Sequence, residues 1–191
     1  EDYLKNKSIK VDVASFDKEM LEQKSRARKN WKGAGSSIDN SFWFKTTKDL
    51  EATEFVGYKI NKTECIIKKI ILLDKSVNTL KKGDKASIIL NQTCFYGESG
   101  GQVGDNGSLA NNNFIFNVYN TTKIFGNYFL HWGEVVSGQC AIEGQVTASI
   151  DIRKRNLVSN NHSSTHLLHA ALRKFLGKHV SQKGSLVNDE K

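Results

Sequence analysis

A run of histidines near the end of the chain is the feature of this sequence with the clearest potential for chemistry. His162, His166 and His169 lie within eight residues and His179 follows, so the segment holds four of the five histidines. On an α-helix, residues four apart share a face, which places His162 beside His166. Two imidazoles at this spacing form half of a zinc site, and the alternative is a half-buried pair hydrogen-bonded to backbone.

The histidine segment is predicted to be a helix over residues 161–176, because apolar side chains recur along it with helical period. Gly177 is suited to end the helix. Ser163 occupies the position where zinc metalloproteases carry a catalytic glutamate, which excludes that class of enzyme. The apolar stripe expected to be buried consists of Leu167, Leu168, Ala171, Leu172, Phe175 and Leu176.

A second unusual segment, "NQTCFYGESGGQVGDNGSL", is rich in glycine between Gly97 and Gly107. Adjacent glycines permit a backbone shape or a close approach that a Cβ atom would block. The segment is not a phosphate-binding loop, because the lysine and hydroxyl of that motif are missing. Two interpretations of this segment remain open: a β-turn or bulge of a barrel, and a part of a functional site.

Periodicity divides the chain into helical and strand-rich parts. A helix is predicted from Ser15 to Trp31, followed by the linker "GAGSSIDNS". Between about Phe42 and Asp151, β-branched and aromatic runs alternate with turn residues, beginning with "EFVGYKI". The predicted fold class is α+β: a small β-barrel or sandwich flanked by an N-terminal helix and a C-terminal helix that bears the histidines.

Composition indicates a globular chain with a polyanionic partner. Across 191 residues the hydrophobic fraction is 38% and the net charge is +8. The positive charge favours binding to nucleic acid. The excess of lysine over arginine can also reflect a compositional bias of the source. No apolar run approaches the roughly 20 residues of a membrane span, and no signal peptide is visible, so no membrane partner is expected. Three scattered cysteines exclude a disulfide framework and favour the cytoplasm.

Three segments together resemble the alanyl-tRNA synthetase family. "FYGESGGQVGDNG" matches the family pattern T-P-F-Y-x-E-S-G-G-Q-x-x-D-x-G, except that Cys94 replaces the proline. "HSSTHLLHAAL" and "VSQKGSLV" match the family's histidine helix and the V-x-Q-x-G-S-x-V stretch after it. "FDKEMLEQKSRARKNWKG" is similar to the helix that ends the family's tRNA-recognition domain.

The resemblance implies three regions: residues 1–40 as the last helix of tRNA recognition with a linker, 41–151 as the glycine-motif β-barrel, and 152–191 as the start of a truncated editing domain. The family attaches alanine to tRNA(Ala) using ATP and Mg²⁺ in a catalytic domain absent here. Its editing site hydrolyses mischarged seryl- and glycyl-tRNA. The expected partners are therefore these tRNAs, with no DNA.

The resemblance also assigns roles to site residues. His162 and His166 are the implied Zn²⁺ ligands, and Thr165 and Gln182 are candidates to line the editing pocket. His169 and His179 are expected to be structural or supporting residues. The family completes its zinc site with a C-x-x-x-H pair about a hundred residues further on, and no cysteine here is followed by histidine at that spacing.

The chain is therefore expected to be a piece of a longer protein with an incomplete zinc site and no activity by itself. Two alternatives from other classes stay open. One is a freestanding aminoacyl-tRNA hydrolase, and the other is a non-catalytic β-barrel that binds RNA and whose histidines are structural.

Overall fold

The computed structural model describes Ser15 and residues 40–190. The chain divides into two units, Glu1–Ile38 and Asp39–Lys191, and every described residue except Ser15 belongs to the second. The predicted helix from Ser15 to Trp31 thus lies, apart from Ser15, outside the described residues and stays a prediction.

The described part contains ten strands between two helices. The helices are α1 (Asn40–Thr47) and α2 (Ile152–Leu176), and the strands are β1 (Glu54–Phe55), β2 (Lys62–Leu72), β3 (Lys75–Val77), β4 (Thr79–Lys81), β5 (Lys85–Leu90), β6 (Gln92–Thr93), β7 (Gly107–Asn111), β8 (Phe114–Ile124), β9 (Tyr128–Ala141) and β10 (Gln145–Ile150). The strand-rich region therefore begins later than expected, since α1 occupies its first residues and "EFVGYKI" yields only the two-residue β1.

Six strands close into a ring in the order β2, β5, β9, β8, β7 and β10, with every neighbouring pair antiparallel. The ring closes between β10 and β2, where Gln145 pairs with Ile66 and Ser149 with Lys62. Closure removes open edges, so the ring strands can pair on both sides. The prediction of an α+β chain with a small barrel or sandwich is confirmed, and the closed ring makes it a barrel.

Alternating side chains fill the barrel interior. Along β8, Phe114, Phe116 and Val118 are buried, whereas Ile115 and Tyr119 point outward. The other strands contribute further buried side chains, among them Ile67, Ile70, Ile88, Leu90, Leu109, Val135, Val146 and Ala148. This packed core supports the loops at the barrel ends.

Helix α2 begins nine residues earlier than the sequence predicted. Asp151 is its N-cap, and the Asp151 carboxylate accepts the backbone N–H of Lys154. An aspartate at this position satisfies a helix N–H that would otherwise lack a partner. The predicted end at Leu176, followed by Gly177, is correct.

The expectation that the apolar stripe of α2 is buried is wrong in the described structure. Val158, in the first half of the helix, is buried, whereas Leu167 is 71% exposed and Phe175 79% exposed. The hydrogen bonds that join α2 to the glycine-rich segment come from Arg155 and His162, both within its first eleven residues. No helix in the described part is long and apolar enough to cross a membrane.

His131, on β9, is a fully buried polar side chain. Its Nδ1 lies 2.9 Å from the carbonyl oxygen of Ile88, so Nδ1 carries the proton and donates. Nε2 then accepts from the hydroxyl of Thr93 at 2.8 Å, and the Thr93 oxygen accepts the N–H of Phe95 at 3.1 Å. This relay fixes the chain after β6 to the barrel core.

Burial lowers the pKa of His131 from 6.5 to about 4, although the hydrogen bond to Ile88 opposes the shift. Above pH 6.5 the residue is neutral in both states. Between pH 6.5 and 4, His131 is protonated in the unfolded chain but stays neutral in the folded chain. The free energy of unfolding should therefore fall by about 3 kcal/mol over that range. Urea denaturation at pH 7 and pH 5 measures the first part of this loss.

The His131→Asn variant should be less stable at pH 7 and should show a smaller difference between the two pH values. His179→Asn is the matched control, because His179 is exposed, and it should keep the parent's difference. An unchanged pH dependence in His131→Asn would contradict the assignment.

Candidate functional site

The glycine-rich segment forms a loop between Tyr96 and Asp105, termed here the glycine loop. The backbone of Asp105 donates to the carbonyl of Tyr96, and the N–H of Tyr96 donates to the Asp105 carboxylate. At the tip, Ser99 and Gln102 exchange two backbone hydrogen bonds of 3.1 and 3.0 Å.

The tip of the glycine loop is a two-residue hairpin turn. Both residues between Ser99 and Gln102 have positive φ, +59° at Gly100 and +85° at Gly101. A turn of this type requires positive φ at both central positions, which favours glycine at each. A Cβ atom at Gly101 would also collide with the carbonyl of Ser185. The glycine pair therefore shapes the turn and admits a second segment of chain beside it.

Arg155, on the first turn of α2, attaches the glycine loop to the helix. Its Nε lies 2.9 and 3.0 Å from the two carboxylate oxygens of Asp105, and Nη2 also contacts that carboxylate. Nη1 donates to the carbonyl of Gly57 and Nη2 to that of Cys94. The hydrogen bond to Asp105 raises the pKa of Arg155 further above its usual value, so the guanidinium stays charged.

The last described residues run between the glycine loop and α2. Val187 donates to the carbonyl of Gly101 at 2.7 Å and accepts from the N–H of Val103 at 3.0 Å. On the other side, the amide of Asn161 donates to the carbonyl of Asn188 at 2.9 Å. Loop, terminal segment and helix thus form one connected unit at the end of the barrel.

His162 and His166 lie together on α2, with their Nε2 atoms 3.1 Å apart. The other ring nitrogen of His162, Nδ1, lies 2.8 Å from the side-chain oxygen Oε1 of Gln102. Because that oxygen only accepts, Nδ1 carries the proton and Nε2 keeps its lone pair. The glycine loop therefore sets the tautomer of His162.

This pair fits half of a tetrahedral zinc site. Two nitrogen ligands about 2.0–2.1 Å from zinc lie roughly 3.3–3.4 Å apart, close to the observed separation of the two Nε2 atoms. Histidines that bind zinc usually donate their other ring nitrogen to an oxygen acceptor, as Nδ1 of His162 does to Gln102. Within residues 40–190, no group of three or more His, Cys, Asp or Glu side chains is arranged to hold a metal ion.

The cysteines do not supply the missing ligands. Burial raises the pKa of Cys65 to about 12 and those of Cys94 and Cys140 to about 11, which disfavours the thiolate that binds zinc. All three lie in the barrel core.

The other predicted site residues have different surroundings. Thr165 lies on α2 between the two histidines, half-buried, and its hydroxyl donates to the carbonyl of Asn161 at 2.9 Å. Gln182 is exposed, and no hydrogen bond joins it to the histidine pair in the described structure. His179 is exposed as well, whereas Nε2 of His169 is buried without a hydrogen-bond partner among the described residues.

Sequence reasoning gave no role to Gln102, Asp105 or Arg155. The sequence feature that could have indicated a role for Gln102 and Asp105 is their position among the glycines. Arg155 had no signal, because its partners lie 50 to 98 residues away.

Comparison with known proteins gives consistent matches along the chain. A family model described as "tRNA synthetases class II (A)" matches residues 1–154. The chain is 41% identical over 191 residues to the alanine–tRNA ligase of Mesorhizobium japonicum and 43% identical over 191 residues to that of Nitrobacter winogradskyi. These matches cover 100% of this chain but 22% and 21% of the relatives, so the chain spans about a fifth of their length.

Removing the Arg155 guanidinium should destabilise this end of the molecule severely. Arg155→Met keeps much of the side-chain length but leaves the Asp105 carboxylate, 8% exposed, without its cation. The free energy of unfolding should fall by about 3–5 kcal/mol, measured by urea denaturation. Lys154→Met is the matched control, because the Lys154–Asp189 pair is more exposed and longer, at 3.7 Å, and its loss should cost no more than about 1 kcal/mol. Equal losses in the two variants would refute the special role of Arg155.

Proposed function

Because this chain belongs to the alanyl-tRNA synthetase family, the class II (A) tRNA synthetases, we propose that it is part of an alanine–tRNA ligase and forms the first half of that enzyme's editing site. The whole enzyme would join alanine to tRNA(Ala) in the cytoplasm, using ATP and Mg²⁺ in a domain outside this chain. The editing site would hydrolyse seryl- and glycyl-tRNA. Residues 1–40, 41–151 and 152–191 would be the end of tRNA recognition, the barrel and the start of the editing domain.

One observation carries the proposal: the glycine loop and the histidine helix, far apart in sequence, meet in a hydrogen bond of 2.8 Å between Gln102 and His162. A purely structural loop has no need to fix the tautomer of a histidine pair that is half-buried at His162 and exposed at His166. A ligand site has that need, because only a nitrogen with a free lone pair can bind a metal.

The need for editing follows from the size of the amino acid. Glycine fits wherever alanine fits, and serine adds only a hydroxyl group. Binding differences of this size supply about 1–3 kcal/mol of discrimination, so a second, hydrolytic site is required.

His162 and His166 would hold Zn²⁺ together with ligands from outside the described residues. When bound, zinc supplies a Lewis acid that can polarise an ester carbonyl or hold water next to it. Gln102 keeps Nδ1 of His162 protonated, and this directs the lone pair of Nε2 toward His166.

Thr165 and Gln182 would contact the amino acid. The hydroxyl proton of Thr165 is already donated to the backbone of Asn161, so its oxygen presents lone pairs that can accept from a substrate ammonium or hydroxyl group. Gln182 carries both donors and an acceptor on an exposed segment close in sequence to Val187, which is fixed to the glycine loop.

Zinc should bind this chain weakly, because two nitrogens leave half of the tetrahedral shell to water. In a competition assay with a chelating dye, His162→Ala should abolish the residual affinity. Gln102→Leu should lower it by about tenfold or more through loss of the tautomer. His179→Ala is the control and should match the parent. Stoichiometric zinc that survives dialysis against EDTA would contradict an incomplete site.

In the full-length ligase, replacing both His162 and His166 with alanine should separate charging from editing. Alanine suits a helix better than histidine, and the apolar side chains of α2 stay unchanged, so the fold should survive. Aminoacylation with alanine should remain near normal. Hydrolysis of seryl- and glycyl-tRNA should fall strongly, and mischarged tRNA should accumulate.

The two assays must be made on the same preparation, with His179→Ala as the control. Equal loss of aminoacylation and hydrolysis would defeat the editing assignment and point to a structural role for the pair. Strong hydrolysis by this chain alone would instead favour a freestanding hydrolase.

A further inference from the structure

Four aromatic rings cluster beside the glycine loop, at the same end of the barrel as the histidine pair. Phe55 is central: its ring stacks on Phe129 with centroids 5.5 Å apart and meets Tyr58 and Tyr96 edge-on at 4.9 and 6.4 Å. Phe129 is 7% exposed, whereas Tyr58 is 87% exposed. The cluster thus has a buried base and an exposed outer ring.

A lysine completes the cluster. The ammonium of Lys123 lies 5.7 Å from the ring centroids of both Tyr96 and Phe129, a cation–π arrangement. Its alkyl chain passes over Gly97, where an added Cβ would collide with it. Lys123 forms no ion pair with a carboxylate among the described residues. The protein therefore positions this positive charge without neutralising it.

The cluster and the histidine pair are joined through the glycine loop. Tyr96 begins the loop, and its hydroxyl lies 3.4 Å from the carbonyl of Ser99. Ser99 pairs with Gln102, whose side chain contacts His162. The aromatic cluster and the histidine pair thus both contact the glycine loop, the cluster at its start and His162 at its tip.

We propose that Tyr58, Tyr96 and Lys123 form a docking surface for the unpaired end of an RNA strand. A base would stack on the exposed face of Tyr58, and Lys123 would contact a phosphate. This inference rests on the proposed editing function, because it supplies the hold on the strand whose terminal ester reaches the histidine pair.

The chemistry of the surface favours a single strand over a duplex or a peptide. Every base has a π face, and a protruding tyrosine offers a stacking partner that a paired base cannot use from within a helix. Lys123 has no carboxylate partner among the described residues, so its ammonium can contact a phosphate. The net charge of +8 favours a polyanion such as RNA over a peptide.

The test uses the 191-residue chain, without metal, and two fluorescein-labelled RNA hairpins. One hairpin has a four-nucleotide unpaired 3′ end and the other is blunt. Fluorescence anisotropy should give tighter binding of the hairpin with the unpaired end. Tyr58→Ala should weaken that binding about fivefold or more, because base–aromatic stacking contributes about 1–3 kcal/mol. Tyr58→Phe, which keeps the ring, should bind like the parent.

Matched controls come from the same barrel. Tyr119→Ala removes another exposed tyrosine, 55% exposed on β8 and without a ring contact to the cluster, and should leave binding unchanged. Lys123→Met keeps the alkyl chain over Gly97. The slope of log affinity against log salt concentration should become shallower by about 1, the value expected for one lost phosphate contact. Lys75→Met, at the exposed start of β3, should change this slope much less.

Equal affinity for the two hairpins, or parent-like binding by Tyr58→Ala, would overturn the docking surface. Because the RNA carries no amino acid and no metal is present, this result is independent of hydrolysis. If the docking surface is wrong, the double histidine variant still separates charging from editing. If the editing function is wrong, hydrolysis survives in that variant while Tyr58→Ala still weakens RNA binding.

Discussion

The ion pair between Arg155 and Asp105 is the contact on which the rest of this end of the molecule depends. A guanidinium and a carboxylate are costly to bury, and here the cost is offset by hydrogen bonds to Asp105, Gly57 and Cys94. Asp105 also accepts the N–H of Tyr96, so one carboxylate closes the glycine loop and binds the helix. The first turn of α2 is therefore fixed relative to both the barrel and the loop, and the direction of the whole helix follows.

Given that direction, the position of the histidines is a matter of helical geometry. His162 lies seven residues, about two turns, after Arg155, which places it near the same side of α2. It meets Gln102 at the tip of the loop, while His166 lies one turn further on. The barrel supplies the rigid support, because its strands are paired in a closed ring and His131 anchors the chain that enters the loop.

The exposed second half of α2 contrasts with this rigid end. Leu167, Leu172 and Phe175 have a helical spacing that normally marks a buried face, yet they lie open within the described structure. The same stretch carries His166, whose hydrogen-bond partner among the described residues is its neighbour His162. The chain spans about a fifth of its relatives' length, and under the proposed function the rest of the ligase would supply the remaining ligands.

Local features could be predicted from the sequence: the helix ending before Gly177, most strands, the α+β class, and the i, i+4 pairing of His162 with His166. These depend on period, turn chemistry and residue type, which a single chain displays directly. The choice between a barrel and a sandwich depended on the pairing of β10 with β2. Sequence reasoning missed the start of α2, because Asp151 acts as a cap only where the strand before it ends. The contact of Gln102 with His162, the contact of Arg155 with Asp105 and the exposure of the α2 stripe became visible in the folded chain alone. Each of these joins or separates segments distant in sequence, and no local pattern encodes the partner of a long-range contact.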